Sequence, residues 1–135
     1  MRFVLDASAA VKLYAPEEGA AEMLDLLERG ADFTVPDIFP LELASALLRK
    51  ERGGEVVVGT AQRALLDLDL VGLEVVPHAP ILTAAAALAS QHQHGIFDFL
   101  YLLIAKDRAA PVVTFDAPMS ALARRLGIQL WEPPR

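Results

Sequence analysis

Short apolar runs alternate with longer amphipathic stretches along the chain. The first run, Arg2-Phe3-Val4-Leu5, reads as a buried strand and breaks off at a carboxylate, Asp6, followed by a hydroxyl, Ser8. Residues 7 to about 14 then read as a short helix, with Asp6 or Ser8 as its cap. Pro16-Glu17-Glu18 opens a second helix with acids in its first turn; Met23, Leu24, Leu26 and Leu27 form its apolar face and Gly30 stops it. Residues 32–35 are a second strand, ended by Pro36-Asp37. A long helix over residues 39–52 follows, with Pro40 tolerable only because it falls in the first turn and Gly53-Gly54 as the stop. Residues 57–70 read as a fourth helix, although Val56-Val57-Val58 taken alone reads equally well as strand.

Beyond Gly72, residues 73–76 are a third strand, and Pro80 opens an alanine-rich helix that runs to His92, with Gly95 as its stop. Residues 97–109 form another helix, and Pro111 leads into a fourth strand, Val112-Val113-Thr114. Asp116 caps a helix through Leu126, with Pro118 in its first turn and Gly127 as its stop. Ile128-Gln129-Leu130 is a fifth strand before Pro133-Pro134. Strands alternating with helices imply a mostly parallel sheet covered on both faces, with right-handed crossovers. The expected fold is α/β, a three-layer α/β/α sandwich around about five strands, in a single domain over residues 1–135.

Composition sharpens this picture. A hydrophobic share of 54% supplies a full core and surplus apolar surface for a partner. The absence of cysteine excludes a disulfide framework and a thiolate metal site. No signal peptide is evident, and the longest apolar run, residues 81–89, is too short to cross a bilayer, so a cytoplasmic location is the default expectation. The formal charge of -6, with no basic run longer than a pair, argues against a module that holds nucleic acid by charge alone. A nuclease whose acids hold metal ions remains open, because two divalent cations would move the net charge from -6 to about -2.

Four acids stand out. Asp6 and Asp116 follow the first and fourth strands, and Asp98 opens the helix after Gly95. Each Asp alone is explained by helix capping, worth about 1 kcal/mol. Asp98, however, lies in Gly95-Ile96-Phe97-Asp98-Phe99-Leu100-Tyr101-Leu102-Leu103, where an unpaired carboxylate is costly to bury. Glu42 lies early in Phe39-Pro40-Leu41-Glu42-Leu43-Ala44-Ser45-Ala46-Leu47-Leu48, is not a cap, and has no basic neighbour before Arg49. The strand-to-helix turns carry Asp6 and Asp116 to one edge of the sheet, and the helices bearing Glu42 and Asp98 are expected to start there too. Two unit charges ~5 Å apart repel by about 3 kcal/mol at an effective dielectric near 20, so such a cluster takes up protons or binds a cation. Oxygen ligands without cysteine favour a hard ion, Mg²⁺ or Mn²⁺.

With these residues in view, the chain resembles the PIN-domain family, in particular the toxin ribonucleases of bacterial and archaeal toxin–antitoxin pairs. The resemblance rests on Val4-Leu5-Asp6-Ala7-Ser8, Glu42-Leu43-Ala44-Ser45-Ala46-Leu47, Phe97-Asp98-Phe99-Leu100-Tyr101 with Ala105, and Val113-Thr114-Phe115-Asp116, whose order and spacing span essentially the whole chain. It implies one metal site formed by Asp6, Glu42, Asp98 and Asp116, with Ser8 and Thr114 as supporting hydroxyls. It further implies one or two Mg²⁺ or Mn²⁺ ions, an RNA substrate cut by metal-activated water, a cognate antitoxin and a homodimer.

Other readings weigh less. A phosphoacceptor receiver wants an acidic pair after the first strand, where Leu5-Asp6-Ala7 offers one acid. A dehalogenase-like phosphatase wants a second Asp where this chain has Ser8. A catalytically silent RNA- or protein-binding module is expected to lack one of the four acids, and all are present. His92 and His94 read as a solvated helix end, His78 as a loop residue, and Trp131 as packing. Arg49, Lys50, Arg52, Lys106, Arg108, Arg124 and Arg125 fall late in their helices, where the dipole favours cations.

Overall fold

The structure, a computed structural model, describes residues 1–134. Strand β1 (Arg2–Leu5) is followed by helix α1 (Ala7–Ala10), which tightens into a 3₁₀ turn over Val11–Leu13. Then come α2 (Ala20–Glu28), β2 (Asp32–Pro36), α3 (Phe39–Arg52), α4 (Thr60–Val71) and β3 (Glu74–Val76). A 3₁₀ turn over Ala79–Ile81 enters α5 (Leu82–His92), and α6 (Ile96–Arg108), β4 (Val112–Val113) and α7 (Ala117–Arg125) complete the described elements.

The sheet has four strands in the order β3-β2-β1-β4, all parallel, flanked by seven α-helices. Successive strands step outward from β1 to β3, and the chain then crosses back to lay β4 on the other side of β1. The order therefore reverses between β1 and β4, the place where ligands meet an open parallel sheet. Strands β1, β2 and β4 are deeply buried: Val4, Val35, Val112 and Val113 have no accessible surface. Helix α6 lies against β1 and β2 and buries Phe99, Leu100, Tyr101, Leu102, Ile104 and Ala105.

Three elements differ from expectation. The fifth strand shrinks to one parallel bridge, Val112 to Leu130, because a turn at Gly127 (φ 70°) precedes it and Pro133-Pro134 provide no N–H to extend the ladder. Helix α2 starts at Ala20, not at Pro16, because the carbonyl of Glu18 accepts the Lys12 ammonium (2.6 Å) and Gly19 turns at φ 95°. Helix α4 starts at Thr60, where the Glu51 carboxylate of α3 accepts the N–H groups of Gly59 and Ala61, both at 3.0 Å. Val57 and Val58 are left exposed in the turn before it, in neither helix nor strand.

Leu41 and Leu43 lie two residues apart on α3 but are 74% and 0% exposed. Leu43→Ala is expected to lower unfolding free energy by about 2–5 kcal/mol. Leu41→Ala should stay within about 0.5 kcal/mol of wild type. Urea denaturation of the two variants checks this, and equal losses would refute the burial assignment.

Candidate active site

Asp6 ends β1 and is buried, 7% exposed. It occupies the N-cap position of α1, yet its side chain makes no capping hydrogen bond. Its Oδ2 instead accepts the hydroxyls of Ser8 (2.6 Å) and Thr114 (2.8 Å). The two hydroxyl oxygens lie 3.3 Å apart, but with both protons directed at Asp6 that approach is not a third hydrogen bond. Each hydroxyl in turn accepts a backbone N–H from the loop after β4: Phe115 to Ser8 and Asp116 to Thr114, both at 3.1 Å. One carboxylate oxygen thus fastens the ends of β1 and β4 together where the strand order reverses.

Glu42 lies in the first turn of α3, and its Oε1 accepts the hydroxyl of Tyr101 at 2.7 Å. Tyr101 is buried in α6, three residues after Asp98 and so on the same helical face. Asp98 lies in the first turn of α6, and its Oδ2 meets His94 Nε2 at 2.7 Å. The His94 ring stands edge-on to Phe99, with centroids 5.9 Å apart.

Burial raises the titration of Asp6 above the ordinary carboxylate range, the Ser8 and Thr114 hydrogen bonds oppose the rise, and the charge of Asp98 adds to it. Burial also raises Glu42, against the hydrogen bond from Tyr101, and the charges of Asp6 and Asp98 raise it further. The Tyr101 phenol is held protonated, first by burial and then by the Glu42 charge beside it. Among the described residues no Lys or Arg forms an ion pair with Asp6, Glu42 or Asp98.

Asp6, Glu42 and Asp98 therefore form one electrostatic group. Asp116 lies on the same edge, tied to Thr114 through its own N–H, but its carboxylate caps α7 by accepting Met119 N–H at 2.9 Å. Its charge raises neither Asp6 nor Glu42. Among the described residues no three His, Asp or Glu side chains are gathered tightly enough to hold a metal ion by themselves. The donor set nonetheless fits a hydrated hard cation: it is oxygen-based, two of its members are raised by burial and like charge, and Mg²⁺ commonly takes one or two carboxylates and keeps its waters.

Two residues escaped the sequence reading. Tyr101 was legible only through its spacing of three from Asp98. His94, read as part of a solvated helix end, is instead the partner of Asp98. Helix α5 closes at His92, Gln93 turns left-handed at φ 51°, and the N–H of His94 bonds back to Ala89, which aims the imidazole at the first turn of α6. His78 does lie in a loop, where Asp37 accepts its Nδ1 (2.9 Å) and its backbone N–H (3.2 Å). Trp131 packs edge-on to Phe115.

A carboxyl titration raised in the folded chain means that the folded chain binds the proton more readily than the unfolded one. Stability then falls as pH rises from the ordinary carboxylate range through the raised value, and the penalty is fully present above it. Glu42→Gln keeps an acceptor for Tyr101 and removes the charge. In metal-free buffer it is expected to melt above wild type at neutral pH, with the difference shrinking as pH falls through the titration of Glu42. An equal or lower midpoint at neutral pH would refute a charge penalty there.

The chain is similar in sequence and fold to known proteins. Ribonuclease VapC3 of Pyrobaculum aerophilum is 28% identical over 122 residues, covering 89% of this chain and 93% of that protein. The crystal structure of PAE2754 from Pyrobaculum aerophilum superposes with a TM-score of 0.68 at 22% identity, covering 94% of this chain and 90% of that one. VapBC2 from Rickettsia felis, solved bound to a DNA fragment from its promoter, matches with a TM-score of 0.63 at 19% identity, over 98% of this chain and 100% of that one. These structural likenesses speak to the fold. The PIN domain model matches residues 3–125, the span that carries all four acids and both hydroxyls, and the chain belongs to the PIN domain family.

Proposed function

We propose that this chain is a metal-dependent endoribonuclease, the toxin half of a toxin–antitoxin pair. The observation that carries the reading is a group of three carboxylates, Asp6, Glu42 and Asp98, at the reversal of strand order, with no Lys or Arg among the described residues paired to them. The relative named as a ribonuclease and the neighbour named as a VapBC complex support the activity and the partner.

On this reading Asp6, Glu42 and Asp98 hold one or two Mg²⁺ or Mn²⁺ ions, Asp116 borders the same edge as the fourth acid, and Ser8 and Thr114 orient Asp6. The bound cation supplies an activated water and charge neutralisation at the scissile phosphate. The carboxylates would align the attacking water in line with the P–O3′ bond that breaks; one of them would accept the water's proton, and the leaving 3′ oxygen would take a proton from solvent. Because the acids are coupled, their titrations belong to the group and not to single residues. Exposed apolar residues on α3 and α4 (Leu41, Leu66, Leu70) are available to the antitoxin or to a second copy in a homodimer. The protein acts in the cytoplasm on this reading. The absence of a tight three-ligand cluster favours a second reading, a PIN module that binds RNA or protein without cutting.

Incubation of the purified chain with a mixed RNA pool separates the two. Cleavage is expected with Mg²⁺ or Mn²⁺ and not with chelator. Asp6→Asn, Glu42→Gln and Asp98→Asn should each lower it by about 10²-fold or more, the range for removing a positioned acid–base group. RNA binding without cleavage would favour the silent module, and equal cutting by wild type and Asp98→Asn would reject the site.

Asp116 needs its own pair of variants. Asp116→Ala removes both cap and charge and should cost about 1 kcal/mol of stability, whereas Asp116→Asn keeps a good cap and should cost little. Loss of cleavage in Asp116→Asn with an unchanged melting temperature would assign its charge to the reaction. Full activity in Asp116→Asn would leave it a cap alone.

A further inference from the structure

Each of the three grouped acids has one oxygen held by a hydrogen-bond donor. Asp6 Oδ2 is held by Ser8 and Thr114, Glu42 Oε1 by Tyr101 at 2.7 Å, and Asp98 Oδ2 by His94 at 2.7 Å. An ionised carboxylate only accepts, so His94 Nε2 is the donor to Asp98. The second oxygens, Glu42 Oε2 and Asp98 Oδ1, accept no side-chain hydrogen bond among the described residues. Neither donor can easily follow a carboxylate that turns. Tyr101 is buried to 1% exposure within α6, and His94 is braced against Phe99.

We propose that Tyr101 and His94 are positioning residues of the acid site: by holding Glu42 Oε1 and Asp98 Oδ2 they leave one oxygen of each carboxylate for a cation, and so make the site take Mg²⁺ or Mn²⁺ in preference to Ca²⁺. This rests on the proposed metal-holding role of the acids. Mg²⁺ requires near-octahedral geometry, keeps several waters, and is satisfied by single oxygens from one or two carboxylates. Ca²⁺ takes more oxygens and gains much from carboxylates that present both. A carboxylate oxygen already in a short hydrogen bond keeps a second lone pair but shares its charge with the donor and is held in orientation, so it serves a cation less well than the open oxygen. The partner residues of metal ligands act in this way, by fixing the orientation of the group that binds.

The test uses the full chain without RNA. Mn²⁺ binding is followed by the spin-resonance signal of the free ion, and Mg²⁺ and Ca²⁺ are titrated as competitors. Tyr101→Phe removes only the hydroxyl, His94→Ala removes the imidazole, and His94→Gln returns an N–H donor. Tyr101→Phe and His94→Ala are expected to weaken Mg²⁺ by about tenfold, the low end for loss of a residue that orients a ligand, while Ca²⁺ changes much less. The preference for Mg²⁺ over Ca²⁺ should therefore fall about tenfold, with His94→Gln close to wild type. Thermal melting without metal reports folding, and the two His94 variants carry the test if Tyr101→Phe fails to fold. Wild-type binding with an unchanged Mg²⁺ to Ca²⁺ ratio in the variants would overturn the positioning role and leave the metal site intact. No divalent binding by wild type would overturn the metal-holding role itself, and this inference with it.

Discussion

The charge of Asp6, buried at the end of the central strand, is the constraint on which the rest of the site depends. An ionised carboxylate in that position needs hydrogen bonds to offset its lost hydration. It receives them from Ser8, two residues on, and from Thr114, which is 108 residues away in sequence. Those two hydroxyls then accept the N–H groups of Phe115 and Asp116. The loop after β4 is held in place through Asp6, and the direction of every bond in the set follows from the carboxylate being an acceptor only. An apolar residue at position 6 would leave the Ser8 and Thr114 hydroxyl protons to find new acceptors.

Around that anchor the parallel topology does most of the placement. Strands running the same way deliver their ends to one edge, and helices that start from that edge present their first turns to it. Glu42 and Asp98 both occupy first turns, on α3 and α6. The arrangement favours negative side chains locally, because helix N-termini attract them, while setting three carboxylates against one another globally. Buried Asp6 and half-buried Glu42 respond with raised titration. Stability is traded here for a site that attracts positive charge, the pattern expected where function needs a strained or repulsive arrangement.

The legible part of this molecule was the part where sequence imposes a cost. Asp98 and Glu42 drew notice because charges among large apolar residues demand a reason, and both fall in the acid group. The order of strands and helices was readable for the same reason, since apolar runs closed by Gly or Pro leave few alternatives. The unread part depended on contacts between distant residues. Nothing local says that Glu51 on α3 caps α4, or that Lys12 reaches the carbonyl of Glu18, and these contacts moved two helix starts by three or four residues. Ile128-Gln129-Leu130 looks like strand by composition, but a ladder needs N–H groups beyond it, and Pro133-Pro134 lack them. Tyr101 looked like one more core aromatic, and its hydroxyl acquires meaning only once α3 brings Glu42 to it. Asp116 shows the opposite: its capping bond is local, was predictable, and is present.

On the proposed function, the net charge of -6 sets the terms on which RNA reaches such an edge. Several cations are already engaged: Lys12 and Lys50 with Glu17, Arg29 with Asp25, and Arg108 with Glu74 and Asp107. Arg2 donates to Thr34 at 2.9 Å, and Thr34 in turn to Glu74. Attraction to a polyanion from the surface as a whole is therefore weak, and the acid group itself repels phosphate. On the proposed function, a divalent cation converts the edge from one that repels phosphate to one that binds it. Linkage then runs both ways: if the cation tightens RNA, RNA must tighten the cation by the same factor. On the proposed function the acid group accordingly binds its metal alone and binds it more tightly with RNA present. On that reading Asp6, Glu42 and Asp98 would hold a hydrated Mg²⁺ that keeps positions open, and phosphate oxygens of the substrate would be suited to fill them.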